Sequence, residues 1–146
     1  MLYLGADHAG YKLKEKIKKY LDKKEIEYVD VGATRPKADD DYPDYAATAA
    51  QQVVSKKEAQ GILACGTGTG MAIVANKTKG IRAAVVWSSY TARKAVEDDH
   101  ANIIALPARV ISDKEALAAV EAFLAAKPSR LARYVRRVNK IKNLEK

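Results

Sequence analysis

Apolar and polar positions along the 146-residue chain switch between two periods, one that suits strands and one that suits helices. Residues 2–6 are a short apolar run, read as a strand. Over residues 11–24 apolar side chains recur at Leu13, Ile17, Tyr20 and Leu21, one face of a helix. Residues 26–31 alternate as a second strand and stop at Gly32, and residues 33–41 are a polar loop containing Pro36. A second helix is predicted over 45–57, a buried strand over 62–64, a helix from Met71 to about Lys77, and a strand over 82–87. Ser88 or Ser89 caps a helix reaching about Asp98, and 102–106 is the fifth strand. Ser112 with Glu115 three residues on is a capping box for a helix ending near Ala126. Pro128 breaks that helix, and a last, basic helix runs from about 130 to 142.

Strands separated by helices predict an α/β fold. Its form is a three-layer α/β/α sandwich, a Rossmann-like five-stranded parallel sheet in a single domain over residues 1–146, with a basic helix at its C-terminus. In such sheets ligands bind at the carboxyl ends of the strands. Those ends carry Asp7-His8, Cys65-Gly66-Thr67, Trp87-Ser88 and Pro107-Ala108-Arg109, from which one site can be assembled.

The third of these ends is the most informative. An apolar run, Gly61-Ile62-Leu63-Ala64, meets the only cysteine and then three alternating glycines, Gly66, Gly68 and Gly70. A glycine-rich turn from strand to helix lets backbone N–H groups converge where the helix dipole favours negative charge. A thiol at the mouth of such a loop is favoured as thiolate and suits a base or nucleophile, although a lone cysteine at a strand end is in general a small buried hydrophobe. The spacing G-x-G-x-G is neither the dinucleotide fingerprint nor, lacking Gly-Lys-Ser/Thr, a phosphate-binding P-loop.

Composition narrows the classes. A single cysteine excludes an intramolecular disulfide and suits a reducing cytoplasm. The first residues lack the basic region of a signal peptide, and no apolar stretch approaches membrane-spanning length, so no membrane partner is expected. The net charge of +8 favours an anionic ligand, either a phosphorylated small molecule or nucleic acid.

Two further groups fit an anion. Asp7 suits a sugar hydroxyl and His8 suits acid–base work or a phosphate; the plainer role for Asp7 is to cap the helix that follows. Arg133, Arg137 and Lys140 follow one another at helical spacing on the last helix. Such a stripe is commonly a solvated face, but beside an anion hole it makes a phosphate clamp.

At these residues a resemblance to a known family is close. Gly5-Ala6-Asp7-His8-Ala9-Gly10, Asp41-Tyr42-Pro43-Asp44-Tyr45-Ala46, Cys65-Gly66-Thr67-Gly68-Thr69-Gly70, Ala75-Asn76-Lys77, Gly80-Ile81-Arg82-Ala83 and Asn102-Ile103-Ile104 occur in this order over nearly the whole chain. The sequence resembles the type B ribose-5-phosphate isomerases, a family that also includes galactose- and allose-6-phosphate isomerases. The resemblance implies an aldose–ketose isomerase acting on a sugar phosphate through a cis-enediolate, with no metal or other cofactor. It implies Cys65 as the base between C1 and C2, Thr67 on the reacting oxygens, and Asp7 near the ring oxygen. The N–H groups of Gly66, Gly68 and Gly70 would hold the enediolate. His8, Arg133 and Arg137 would bind the phosphate, with Arg109 a further candidate. It also implies homodimers or pairs of dimers whose sites combine residues of two subunits.

One departure bears on the sugar. The family often carries a His-Asn pair, its histidine held to open the sugar ring, where this chain has Asp98 and Asp99; His100 falls two residues later, about 200° round a helix. Either Asp98 opens the ring, with Asp99 a candidate for substrate binding, or His100 reaches in from a loop, or the preferred sugar differs. Tyr134 likewise replaces a position often held by histidine. Readings from other classes fit less well. RNA binding through the basic helix lacks interleaved aromatics, so no nucleic-acid partner is expected, and a silent phosphate-binding module leaves Cys65 unexplained.

Overall fold

The alternating pattern folds as an all-parallel sheet between helices. The structure is a computed structural model describing residues 1–145. In chain order the elements are β1 (Leu2–Ala6), α1 (Tyr11–Lys23), β2 (Tyr28–Asp30), α2 (Tyr42–Ser55), β3 (Gln60–Cys65) and α3 (Thr69–Ala75). They continue with β4 (Ala83–Val85), α4 (Ser89–Asp99), β5 (Ile103–Pro107), α5 (Asp113–Ala125) and α6 (Ala132–Asn143). The strands lie in the order β2-β1-β3-β5-β4.

Period-two alternation splits the core into two layers. Leu2, Leu4, Ala6, Ile62, Ala64, Ile104 and Leu106 pack with Leu13, Ile17 and Leu21 of α1 and with the apolar faces of α4 and α5. Tyr3, Leu63, Cys65, Ile103 and Ala105 face the other way, onto Ala46, Ala49, Ala50 and Val53 of α2 and Met71, Ala72 and Ala75 of α3. The chain turns left from β1 to β2 and right from β2 to β3, so the topological switch lies between β1 and β3. Both chemistry-bearing turns, after Ala6 and after Cys65, open onto that switch.

Three elements are placed differently from the sequence expectation for clear physical reasons, and β4 spans only Ala83–Val85 where a strand over 82–87 was expected. Helix α2 starts at Tyr42, because Pro43 sits in the first turn, where its missing N–H has no intrahelical partner to lose. Strand β2 is only three residues long, since a left-handed Glu25 (φ 55°) and the loop 24–27 complete the turn out of α1. Helix α3 begins at Thr69, inside the glycine loop. The capping box of α5 is present as expected, with Ser112 and Glu115 each receiving the other's backbone N–H.

A buried cation was not legible in the pattern. Lys14 is 2% exposed within α1, and its Nζ donates to both oxygens of Asp30 at 2.8 Å and to the Ala33 carbonyl at 2.6 Å. Burial alone would raise the Asp30 pKa, but hydrogen bonds from Lys14, the Gly32 N–H and Lys18 outweigh it and hold the carboxyl below its ordinary value. A lowered carboxylate pKa stabilises the fold above the unfolded value and is lost as pH falls through the folded one. Asp30→Asn should therefore cost about 2 kcal/mol at neutral pH, with a denaturant-melt gap to the wild type that closes below roughly pH 4. A gap independent of pH would show that the charge contributes nothing. The same contacts fix the loop that leaves β2 against the end of β1, where Ala33 N–H donates to the Ala6 carbonyl at 2.8 Å.

Candidate active site

Cys65 ends β3 with its side chain on the α2/α3 face and is 5% exposed. Its Sγ accepts the Gly68 N–H at 3.1 Å, which fixes the sulfur inside the turn. Gly68 is left-handed (φ 73°), and a Cβ there would stand 3.1 Å from the Ala105 carbonyl oxygen, so the turn follows this path only with glycine. At Gly70 a Cβ would fall 2.6 Å from the Tyr42 ring, which packs directly on the loop. Gly66 is covered by Arg109, whose Nη1 lies 3.0 Å from where a Cβ would be. The loop after β5 is tied to the glycine loop by two backbone bonds, Ala108 N–H to the Cys65 carbonyl at 2.9 Å and Arg109 N–H to the Gly66 carbonyl at 3.0 Å. Thr67 is exposed at the rim. Cys65, Thr67, Gly66, Gly68, Gly70 and Arg109 thus form one continuous surface.

The turn after β1 adds the next residues. Asp7 is buried, and its Oδ1 accepts the N–H groups of Ala9 and Gly10, both at 3.0 Å. With this one oxygen it braces the turn ahead of α1, but it does not cap the helix as the plainer sequence reading expected: the N-cap is Gly10, with no side-chain capping bond. His8 is partly exposed, and its Nδ1 lies 2.6 Å from Asp40 Oδ1. Burial, then the charge of Asp40, raises the pKa of the Tyr45 phenol, so this tyrosine stays a neutral donor at the edge of the cluster. Among the described residues, Asp7, His8 and Asp40 form a group whose ligand atoms lie within 4.8 Å of one another. The 2.6 Å contact within it is that of a charge-assisted hydrogen bond, closer than two ligands of one metal ion stand.

The remaining candidates lie elsewhere in the same chain. Helix α4 starts at the carboxyl edge and ends at the amino edge, where β5 begins, so Asp98 and Asp99 sit at the opposite end of the sheet from Cys65. Between the register pairs Gly61–Ile103 and Cys65–Pro107 the strands span about 13 Å. Asp98 lies 3.6 Å from Lys94 on its own helix, and Asp99 lines a cavity of about 630 Å³ with Asn76, Arg82 and Glu145. His100 closes α4 in a left-handed conformation, its Nε2 2.9 Å from the Ser129 carbonyl oxygen.

Helix α6 is held near this amino end at both termini. Ser129 N–H donates to the Glu97 carbonyl at 2.9 Å, and Glu145 Oε1 accepts the Gly80 N–H at 3.1 Å. Arg133 and Arg137 are exposed in between, each guanidinium just under 6 Å from the Tyr134 ring centroid. The structure therefore brings Cys65, Thr67, Asp7, His8 and Arg109 together and leaves Asp98, Asp99, Arg133 and Arg137 apart from them within one chain.

A family model described as Ribose/Galactose Isomerase matches residues 2–141, almost the whole chain. The chain belongs to this family. Within the ribose/galactose isomerases it is similar to ribose-5-phosphate isomerase B of Mycobacterium tuberculosis (strain CDC 1551 / Oshkosh), 41% identical over 145 residues that span 99% of this chain and 90% of that one. Its fold matches the ribose-5-phosphate isomerase B structure from Clostridium thermocellum with a TM-score of 0.93 and 41% identity, covering 99% of this chain and 96% of the other. The enzyme from Mycoplasma genitalium with bound ribulose-5-phosphate superposes with a TM-score of 0.92 and 40% identity, covering 99% and 95%.

Sequence reasoning missed Asp40, Tyr42 and Tyr45 as parts of the site. The signal was the Asp-Tyr-Pro stretch, which belonged to the family resemblance but had no role assigned. Residues 33–41 read as a polar loop, and nothing local shows which of its aspartates turns inward. Among the described residues no helix is long and apolar enough to cross a membrane.

Proposed function

We propose that the chain interconverts ribose 5-phosphate and ribulose 5-phosphate through a cis-enediolate, and that each active site is built from two copies of it. The observation that carries the chemistry is Cys65, held by the Gly68 N–H at the bottom of a glycine loop. Its thiolate takes the proton from C2 of the open-chain aldose and returns it to C1. The charge that develops on the C1 oxygen is met by N–H groups of residues 66 to 70 and by Thr67, which is where an acyclic enediolate most needs stabilisation. Asp7, with one oxygen holding the α1 turn, has the other for the sugar hydroxyls. No step of this scheme calls for a metal or an organic cofactor, and the ligand is a phosphorylated sugar rather than nucleic acid.

The two-copy site follows from what one chain leaves apart. A sugar phosphate reacting at Cys65 needs cations for its dianion, and Arg133 and Arg137 of the same chain are at the far end of the sheet. A second copy packed antiparallel to the first delivers its arginines and its Asp98 and Asp99 to the first copy's Cys65, and the two-fold axis relating them makes the exchange mutual. Large apolar side chains stand exposed on the segments that such a contact would cover: Ile73, Trp87 and Tyr90 near the loop, Val135 and Ile141 on α6. We assign the enzyme to the cytoplasm, as a homodimer or a pair of dimers.

A coupled assay against ribose 5-phosphate, allose 6-phosphate and galactose 6-phosphate tests the substrate. Ribose 5-phosphate should give the highest kcat/KM, and a preference for either hexose 6-phosphate overturns the pentose reading while keeping the chemistry.

The ring-opening residue is tested separately. His100 is tied to the Ser129 carbonyl, which leaves Asp98, a third exposed, as the acid–base group. Asp98→Asn should lower the forward kcat by about a hundredfold, because an amide cannot move the protons of ring opening. Its forward velocity should also stop rising with enzyme concentration once spontaneous opening in solution limits the reaction, whereas wild-type velocity stays proportional. His100→Ala is the control. If that variant shows the plateau and Asp98→Asn does not, the assignment passes to His100.

A further inference from the structure

Three consecutive aspartates, Asp39, Asp40 and Asp41, close the loop between β2 and α2, and only one turns inward. Asp39 is 76% exposed, whereas the Asp40 side chain is 7% exposed. One Asp40 oxygen, Oδ1, faces the His8 ring Nδ1 at 2.6 Å and the His8 backbone N–H at 3.3 Å. Its second oxygen, Oδ2, is buried and makes no hydrogen bond of good geometry among the described residues, although the Tyr45 phenol stands close enough for Asp40 to raise its pKa. A buried carboxylate with half its acceptor capacity unused is costly unless its other contacts hold it there. The contacts that hold it begin at Lys14, which ties Asp30 and Ala33 and so sets the start of the loop that delivers Asp40.

The geometry assigns Asp40 as a positioning residue for substrate binding: it holds the His8 ring by Nδ1 so that Nε2 is presented to the phosphate of the sugar. This rests on the reading of His8 as a phosphate ligand. Asp7 makes no hydrogen bond to the ring: His8 Nδ1 faces Asp40 Oδ1 at 2.6 Å, while Asp7 Oδ1 accepts the Ala9 and Gly10 N–H groups. An acceptor at Nδ1 places a proton there and turns the opposite edge of the imidazole, Nε2, away from Asp40. Between Asp40 and a phosphate dianion, the imidazolium is the form that donates to both, Nδ1–H to the carboxylate and Nε2–H to the phosphate oxygen. Without Asp40 the ring is free to rotate about its side-chain torsions, and the order that substrate binding needs must be supplied by the substrate itself.

The test is a double-mutant cycle with a spectroscopic arm. Asp40→Ala should raise KM for ribose 5-phosphate roughly tenfold, as loss of a charged hydrogen bond does, with kcat within about twofold. Inhibition by inorganic phosphate should weaken by the same factor. Asp40→Asn, which keeps an oxygen opposite Nδ1, should recover a good part of that loss. In the His8→Ala background, Asp40→Ala should change neither value further, since its whole effect passes through the ring. ¹⁵N spectra of the neutral His8 ring should show the proton on Nδ1 in the wild type and a shift toward the Nε2–H tautomer in Asp40→Ala. Additive KM effects, or a tautomer that ignores Asp40→Ala, overturn the proposal. If His8→Ala instead leaves KM and phosphate inhibition unchanged, the phosphate role of His8 is what fails, and the tautomer spectrum alone then decides whether Asp40 holds the ring.

Discussion

Replacing Cys65 with alanine should abolish isomerisation while the protein still folds and binds sugar phosphate. Loss of a general base costs about 10²–10⁴-fold or more in rate, and no other titratable group lies within the glycine loop to take its place. The structural cost is small. Alanine fills most of the site on the α2/α3 face, and one N–H···S contact from Gly68 is lost. Cys65→Ser separates the two effects, because its hydroxyl keeps an acceptor near the Gly68 N–H but is a far weaker base. Both variants should lose exchange of the C2 proton with solvent deuterium in ribose 5-phosphate, a readout independent of the coupled assay. Inorganic phosphate should inhibit neither less nor more tightly at the phosphate end. Turnover of Cys65→Ala within about tenfold of wild type would remove the thiol from the role of base.

Much of the fold was legible because local signals agreed with the global pattern. The apolar stretches 2–6, 62–64 and 103–106 lie buried on both faces, which is what central parallel strands demand, and they read as strands without alternation. The capping box at Ser112 marked the start of α5, and of the two serines that could cap α4 the structure uses Ser88, in a box with Thr91 that the sequence reading had not singled out. Signals failed where a long-range contact overrides a local one. Lys14 sits on a helix face where the charge pattern puts it in solvent, and its burial depends on Asp30, sixteen residues away on another element. The inward turn of Asp40 depends on His8, thirty-two residues earlier.

The candidate site divides the same way. Cys65, its glycines, Asp7 and His8 come from turns at the carboxyl edge of the sheet, and a strand-then-helix reading puts them there. The same reading also implies that a helix returning from the carboxyl edge ends at the amino edge. The separation of Asp98 and Asp99 from Cys65 was therefore implicit in the element order.

Arg137→Ala should raise KM for ribose 5-phosphate by about a hundredfold, and Arg133→Ala by a similar factor, since each removes a charged contact to the phosphate dianion. Both side chains are exposed in the single chain, so neither substitution should lower the melting temperature appreciably. If instead the stripe is only a solvated face, KM stays within about twofold. Mixing subunits carries the argument further, because it asks whose arginine serves whose cysteine. Cys65→Ala and Arg137→Ala proteins should each be inactive at low substrate concentration. When they are unfolded, mixed in equal amounts and refolded, half of the dimers formed at random contain one subunit of each kind. In such a dimer one site combines the intact Cys65 of one subunit with the intact Arg137 of the other, and the second site has lost both. Activity should return to roughly a quarter of the wild-type value. If Cys65 and Arg137 of the same subunit worked together, every site in the mixture would carry one lesion and no activity would return.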